Sequence, residues 1–159
     1  MKRTQEEVDL LISVFSYISF FQNFQKEFDE ETYLELLKKL RYEYGKKNKK
    51  IFNYGDMGRK FYIILNGEVS VLVPQNNDSN KSSHREKDAK EENQDNDEDE
   101  QKKTKFSTAN VLKTGESFGE IALLNFVPRT ATCVCSQETH FVVLTAESYL
   151  KIVGQSFVF

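Results

Sequence analysis

Apolar side chains recur at three- and four-residue intervals in the first part of the chain. One stripe consists of Val8, Leu11, Ile12, Phe15 and Ile18, and a later one of Leu34, Leu37 and Leu40. This spacing places each stripe on a single helix face, and Asp29 precedes the second stripe as an N-cap would. The pattern therefore predicts a helical lead-in over residues 1–50, with apolar faces that pack onto a core.

Strand patterns begin at Ile51. A short apolar run at residues 61–65 and an alternating run at residues 68–74 flank the dipeptide Asn66-Gly67. Asn-Gly between two such runs is a strong hairpin signal, because both turn residues must adopt positive φ. The pattern predicts that these two strands pair with each other.

Strand character returns at Phe106 and continues to residue 144, and residues 146–153 favour a short helix. Several short strands with turns at roughly eight- to twelve-residue spacing are typical of an antiparallel roll or barrel. The expected fold class is α+β, with a jelly-roll-like antiparallel β-roll of about eight strands in residues 51–145. Helices are expected at the N-terminus, within the site segment described below and at the C-terminus, all in one domain over residues 1–159.

A polar insertion separates the two strand regions at residues 75–105, and Ala89 is its only hydrophobic residue. Such a segment cannot bury enough apolar surface to offset the entropy of ordering it, which predicts a solvated loop. A tolerated surface insertion is the favoured interpretation. The alternative is a regulated or partner-binding loop acting through Ser79, Ser82 or Ser83.

Charge and composition exclude several classes of function. The net charge of −3 argues against nucleic-acid binding, and the polar residues 1–10 are not a signal peptide. Apolar runs are too short to insert in a membrane. Cys133 and Cys135 would lie on one strand face as reduced thiols, while His84 and His140 are isolated, which argues against a metal site. We expect an intracellular, cytoplasmic protein.

Residues 115–132 concentrate the features of an anion site. Gly119 permits close approach of a ligand to the backbone. A short helix starting at Glu120 would aim the N–H groups of Gly119, Ile121 and Ala122 outward, as in a helix N-terminus that binds phosphate. The segment is therefore suited to hold an anion.

Two further side chains restrict the chemical class of the ligand. Arg129, which follows the helix-ending Pro128, can grip a phosphate through two parallel hydrogen bonds. Glu120 would repel an anion unless the ligand also offers hydroxyl donors, as a ribose does. A nucleoside cyclic monophosphate supplies a phosphate and a hydroxyl on one ring system.

Residues 118–132 resemble the phosphate-binding cassette of cyclic-nucleotide-binding domains, and they read FGEIALLNFVPRTAT. The cassette pattern is Phe-Gly-Glu, an aliphatic residue, Ala-Leu, a short spacer and Pro-Arg-(Ala or Thr)-Ala-(Thr or Ser), and every position matches. Residues 55–69 are similar to the family's first hairpin region, so the resemblance covers all but the insertion. It implies a ligand-binding set of Phe118, Gly119, Glu120, Ile121, Ala122, Arg129, Thr130 and Ala131.

The resemblance also implies a role for each group. Glu120 would bind the ribose 2′-hydroxyl and Arg129 the exocyclic phosphate oxygens, with no catalytic cofactor and cGMP or cAMP as ligand. Thr at position 130 is associated in the family with acceptance of guanine, which favours cGMP. The alternative is that Thr130 is simply a good strand residue.

The chain departs from the family at its end. Family members end with two helices, the last of which folds over the base as a lid, whereas residues 146–153 match the first helix alone. The sequence leaves two interpretations open, a fragment of a longer protein or a domain without a lid.

Two classes of function fit the sequence. The first is a regulatory module whose ligand shifts the flanking helices and an attached effector domain or partner protein. The second is a structural or interaction module that keeps the fold and has lost nucleotide binding. We expect no enzyme, because hydrolysis of cyclic phosphates would need clustered His and Asp for metals, and residues 55–61 lack P-loop spacing.

Overall fold

In a computed structural model that describes residues 3–75 and 104–153, three helices precede the strands. They are α1 (Gln5–Phe15), α2 (Ser19–Glu27) and α3 (Glu30–Lys39). The predicted N-cap at Asp29 is confirmed, since its carboxylate accepts a hydrogen bond from the Thr32 backbone N–H at 2.8 Å. The predicted solvated loop at residues 75–105 lies, apart from its two ends, outside the described residues.

The described residues form eight strands in two four-stranded antiparallel sheets, so the expected fold class is confirmed. The strands are β1 (Arg41–Gly45), β2 (Lys50–Phe52), β3 (Lys60–Asn66), β4 (Glu68–Pro74), β5 (Phe106–Lys113), β6 (Ser117–Phe118), β7 (Thr132–Cys135) and β8 (Thr139–Thr145). One sheet has the order β1-β8-β3-β6 and the other β2-β7-β4-β5. Two more helices complete the fold, namely α4 (Glu120–Leu124) between β6 and β7 and α5 (Ala146–Val153) after β8.

The central strands β3 and β8 are buried on both faces. In β3, Phe61 and Ile63 pack into a core shared with the helices, whereas Tyr62 and Ile64 point into the interior of the roll. Val142 and Leu144 of β8 pack into the same helical core. Because side chains alternate between the two faces of a strand, burial on both faces requires the continuous apolar runs in the sequence.

The helical lead-in is shorter than predicted. The expectation of helix through residue 50 is wrong, since α3 ends at Lys39 and β1 follows directly. Leu40 already has an extended backbone, at φ −59° and ψ 140°. Strand β1 alternates charged and aromatic residues and pairs with β8, with Tyr42 opposite Val142. A tertiary partner distant in sequence therefore sets the conformation of this segment.

The predicted hairpin at Asn66-Gly67 is also wrong. Strand β3 belongs to one sheet and β4 to the other, so the two runs do not pair. Gly67 has a φ of +116° and is the point where the chain crosses between the sheets. A Cβ there would lie 2.7 Å from the Glu138 carbonyl oxygen and 2.6 Å from the Thr139 Oγ1. The glycine is required for a crossover rather than for a hairpin turn.

Substitution of Gly67 by Ala should destabilise the fold strongly, because it adds a steric clash to an unfavourable φ. We expect a loss of about 3 kcal/mol in the free energy of unfolding, measured by urea denaturation. Gly55→Ala is the matched control, since Gly55 has a φ of +85° but a Cβ there would meet nothing within 4 Å. That control should lose about 1 kcal/mol, and equal losses in the two variants would contradict the crossover argument.

Candidate functional site

The segment that links β6 to β7 begins with a tight backbone approach at Gly119. This residue caps α4 with a φ of +96°. A Cβ at this position would lie 2.8 Å from Nη1 of Arg129 and 3.2 Å from the carbonyl oxygen of Lys60. The backbone of α4 therefore starts directly against the guanidinium group of Arg129, which leaves no space for a larger residue.

A cavity of about 190 Å³ opens between this segment and the second sheet. All eight residues predicted from the sequence line it, namely Phe118, Gly119, Glu120, Ile121, Ala122, Arg129, Thr130 and Ala131. Pockets that enclose a small organic ligand usually measure about 300–1,000 Å³. This cavity is therefore large enough to enclose only part of a nucleotide, and the rest would lie at its mouth.

Glu120, one of the residues that line the cavity, carries an unsatisfied acceptor. Its Oε2 atom is buried and has no hydrogen-bond partner among the described residues. A buried carboxylate oxygen without a donor costs free energy, so a ligand that brings a donor to this atom would recover that cost. A carboxylate accepts hydrogen bonds and cannot donate them, which makes a hydroxyl group a suitable partner.

Arg129 is a buried cation held by backbone carbonyls. It is only 4% exposed, and it donates from Nη1 to the Gly119 carbonyl at 2.7 Å and from Nη2 to the Lys60 carbonyl at 2.6 Å. Its Nε has no partner within the described part of the chain. Burial lowers the pKa of Arg129, but a guanidinium group remains charged at neutral pH. The site therefore contains a positive charge with an unused N–H donor.

The mouth of the cavity combines polar and apolar groups. Thr130 and Ile121 are exposed there, and Ile121 keeps 49% of its accessible surface. Val71 of β4 and Leu112 of β5 contribute an apolar wall. A flat aromatic base could lie between these side chains while the polar part of the ligand occupies the interior.

Five lining residues were not predicted from the sequence, and they are Phe52, Val71, Leu112, Ser117 and Cys133. All five belong to strands of the roll, and Cys133 is one of two free, buried cysteines. Burial raises the pKa of the Cys133 thiol to about 12, so this sulfur stays protonated and unreactive at neutral pH. It contributes an apolar surface to the cavity.

Metal clusters and membrane spans are both absent from the described residues. No group of three or more His, Cys, Asp or Glu side chains is arranged to hold a metal ion in residues 3–75 and 104–153. Within the same ranges, every helix is too short or too polar to cross a bilayer.

No family model matches the chain. The cAMP-dependent protein kinase regulatory subunit of Mucor circinelloides f. lusitanicus is 27% identical over 129 residues, which cover 81% of this chain and 23% of that protein. A solved structure of the regulatory domain of Toxoplasma gondii PKA with cAMP has a TM-score of 0.68 at 17% identity, with 94% of this chain and 46% of that chain covered.

A second solved structure is the regulatory subunit of a cAMP-independent protein kinase A from Trypanosoma cruzi, bound to guanosine. It has a TM-score of 0.69 at 17% identity and covers 94% of this chain and 43% of that chain. The resemblance to cyclic-nucleotide-binding domains is confirmed. This chain shares the fold of the regulatory subunits and spans about a quarter of the Mucor protein.

Proposed function

We propose that this chain is a regulatory module that binds a nucleoside cyclic monophosphate in the cavity beside α4. The observation that carries the proposal is that one cavity is lined by two buried groups without partners among the described residues, a Glu120 carboxylate oxygen and the Nε of Arg129. An anion alone would suit Arg129 and be repelled by Glu120. A cyclic phosphate fused to a ribose satisfies both groups.

The proposed contacts follow from this chemistry. The ribose 2′-hydroxyl donates to Glu120, and an exocyclic phosphate oxygen accepts from Arg129. The backbone N–H groups of Gly119, Ile121 and Ala122 complete the phosphate cradle at the start of α4. The small cavity encloses the sugar and phosphate, while the base lies against Val71 and Leu112 at the mouth.

A movement of α4 on ligand binding would be transmitted to α5 through the helical core. Leu123 of α4 packs in the same buried cluster as Tyr149 and Ile152 of α5. The N–H of Ala146, the first residue of α5, donates to the Arg59 carbonyl at 2.9 Å. A movement of α4 on binding would therefore change the packing of α5, and we propose that an attached effector senses this change.

The relatives support a regulatory rather than a catalytic role, since the Mucor protein is a kinase regulatory subunit. They also support a second candidate function. The Trypanosoma cruzi protein is the regulatory subunit of a cAMP-independent protein kinase A, and its structure holds guanosine. A module that keeps this fold without responding to cyclic nucleotides is therefore the alternative, and guanosine belongs among the ligands to be tested.

Loss of either polar group should weaken nucleotide binding without unfolding the chain. We expect Glu120→Gln and Arg129→Lys each to lower the affinity for cAMP and cGMP by roughly ten- to a hundred-fold. The first removes the charge of the acceptor, and the second removes the planar guanidinium group with its Nε–H donor. Isothermal titration calorimetry with cAMP, cGMP and guanosine measures this effect on the whole chain.

Arg59→Lys is the matched control for Arg129→Lys, because Arg59 is an exposed arginine just before β3 that does not line the cavity. It should bind with wild-type affinity. A wild-type chain that binds neither cyclic nucleotide would overturn the proposal, and binding of guanosine alone would establish the alternative.

Thr130 tests the proposed preference for cGMP. Thr130 is exposed and lines the cavity, so a guanine amino group could donate to its hydroxyl. Thr130→Ala should lower the affinity for cGMP by roughly three- to ten-fold, the worth of one hydrogen bond, and leave the affinity for cAMP unchanged. The ratio of the two dissociation constants measures the effect, and an unchanged ratio would show that Thr130 is only a strand residue.

A further inference from the structure

We infer that Phe52 is a positioning residue for the ligand phosphate, because its ring fixes the plane of the Arg129 guanidinium group. This inference rests on the proposed function and adds a residue outside residues 118–132 to the site. Phe52 lies 77 positions before Arg129 in the sequence, at the end of β2 in the opposite sheet from β6. Sequence patterns in residues 118–132 give no indication of a role for Phe52.

The guanidinium group is held on its face and on two of its edges. Its central carbon lies 4.0 Å from the centre of the Phe52 ring, as in a cation–π contact. Its Nη1 and Nη2 atoms donate in its own plane to the carbonyls of Gly119 and Lys60. The Phe52 ring prevents the guanidinium plane from tilting, and the two carbonyls prevent the group from rotating within that plane. The Nε–H therefore has one fixed direction, and Nε is the guanidinium nitrogen that has no hydrogen-bond partner among the described residues.

Phe52 is itself fixed by its neighbours. Its ring centre lies 5.9 Å from those of Tyr62 and of Phe118, and these two rings stack on each other at 5.0 Å. The pairing of β2 with β7 shifts register between Lys50 and Phe52. Such a bulge re-aims the side chain that follows it, and here that side chain lines the cavity. The aromatic cluster thus holds the ring against Arg129.

Removal of the Phe52 ring should therefore weaken nucleotide binding, because Arg129 loses its fixed orientation. We expect Phe52→Leu to lower the affinity for the better-bound cyclic nucleotide by roughly five- to thirty-fold, the worth of a desolvated cation–π contact. Phe52→Tyr keeps a π-face and should bind within about threefold of wild type. If position 52 supplied only apolar volume, Phe52→Tyr would have no advantage in affinity over Phe52→Leu.

Calorimetric titration of the whole chain tests this inference, with Phe141→Leu as the matched control. Phe141 is 1% exposed, and its ring contacts those of Tyr62 and Phe118 at 5.9 and 6.0 Å. Within the described residues its ring makes no contact with that of Phe52, and it does not line the cavity. Its replacement should lower the melting temperature and leave the affinity of the folded protein unchanged.

A double-mutant cycle separates a positioning role from simple packing. In an Arg129→Lys background the planar fork is absent, so Phe52→Leu should change the affinity by no more than about twofold. Equal effects of Phe52→Leu in both backgrounds, or wild-type affinity of the single variant, would overturn the inference and leave the proposed function intact. A wild-type chain that binds no cyclic nucleotide would overturn both.

Discussion

A permanent positive charge is enclosed in the roll at Arg129, and the geometry of the site depends on how that charge is held. Burial of a charge is costly unless hydrogen bonds compensate for the lost water. Two backbone carbonyls provide that compensation, one from Gly119 at the start of α4 and one from Lys60 at the start of β3. Arg129 thereby joins the segment that would cradle the phosphate to a central strand of the roll.

The same carbonyls explain why the surrounding backbone is so constrained. Gly119 must remain without a side chain because its Cβ would meet the guanidinium group. Lys60 starts β3, whose two buried faces connect the roll interior with the helical core. A ligand that engages Arg129 and Glu120 would therefore act on α4 and on the strand beneath it together. This arrangement suits a binding module whose output is a change in helix packing.

Local patterns could group the candidate site residues because they lie in one continuous stretch of sequence. The glycine, the short helix, the proline and the arginine of residues 118–132 carry their own conformational signals, and the structure brings all eight predicted residues to one cavity. Strands β3, β4, β7 and β8, the cap at Asp29 and helix α5 were also predictable, since each depends on short-range periodicity or capping.

The features that were missed depend on pairing between distant segments. Strand β1 forms because β8, about a hundred residues later, offers a partner, and Asn66-Gly67 crosses between sheets because β4 pairs with β5 and β7 instead of β3. Phe52 and Leu112 reach the cavity only through the closure of the roll. No local pattern specifies such contacts, and the contact between Phe52 and Arg129 is one of them.

A crystal structure of the chain with bound cAMP or cGMP tests the central claim most directly. We predict that the ribose 2′-hydroxyl lies about 2.6–3.2 Å from a Glu120 carboxylate oxygen, and that an exocyclic phosphate oxygen lies at a similar distance from Nε of Arg129. A nucleotide bound outside this cavity, or one whose phosphate leaves the Nε of Arg129 without a partner, would contradict the account.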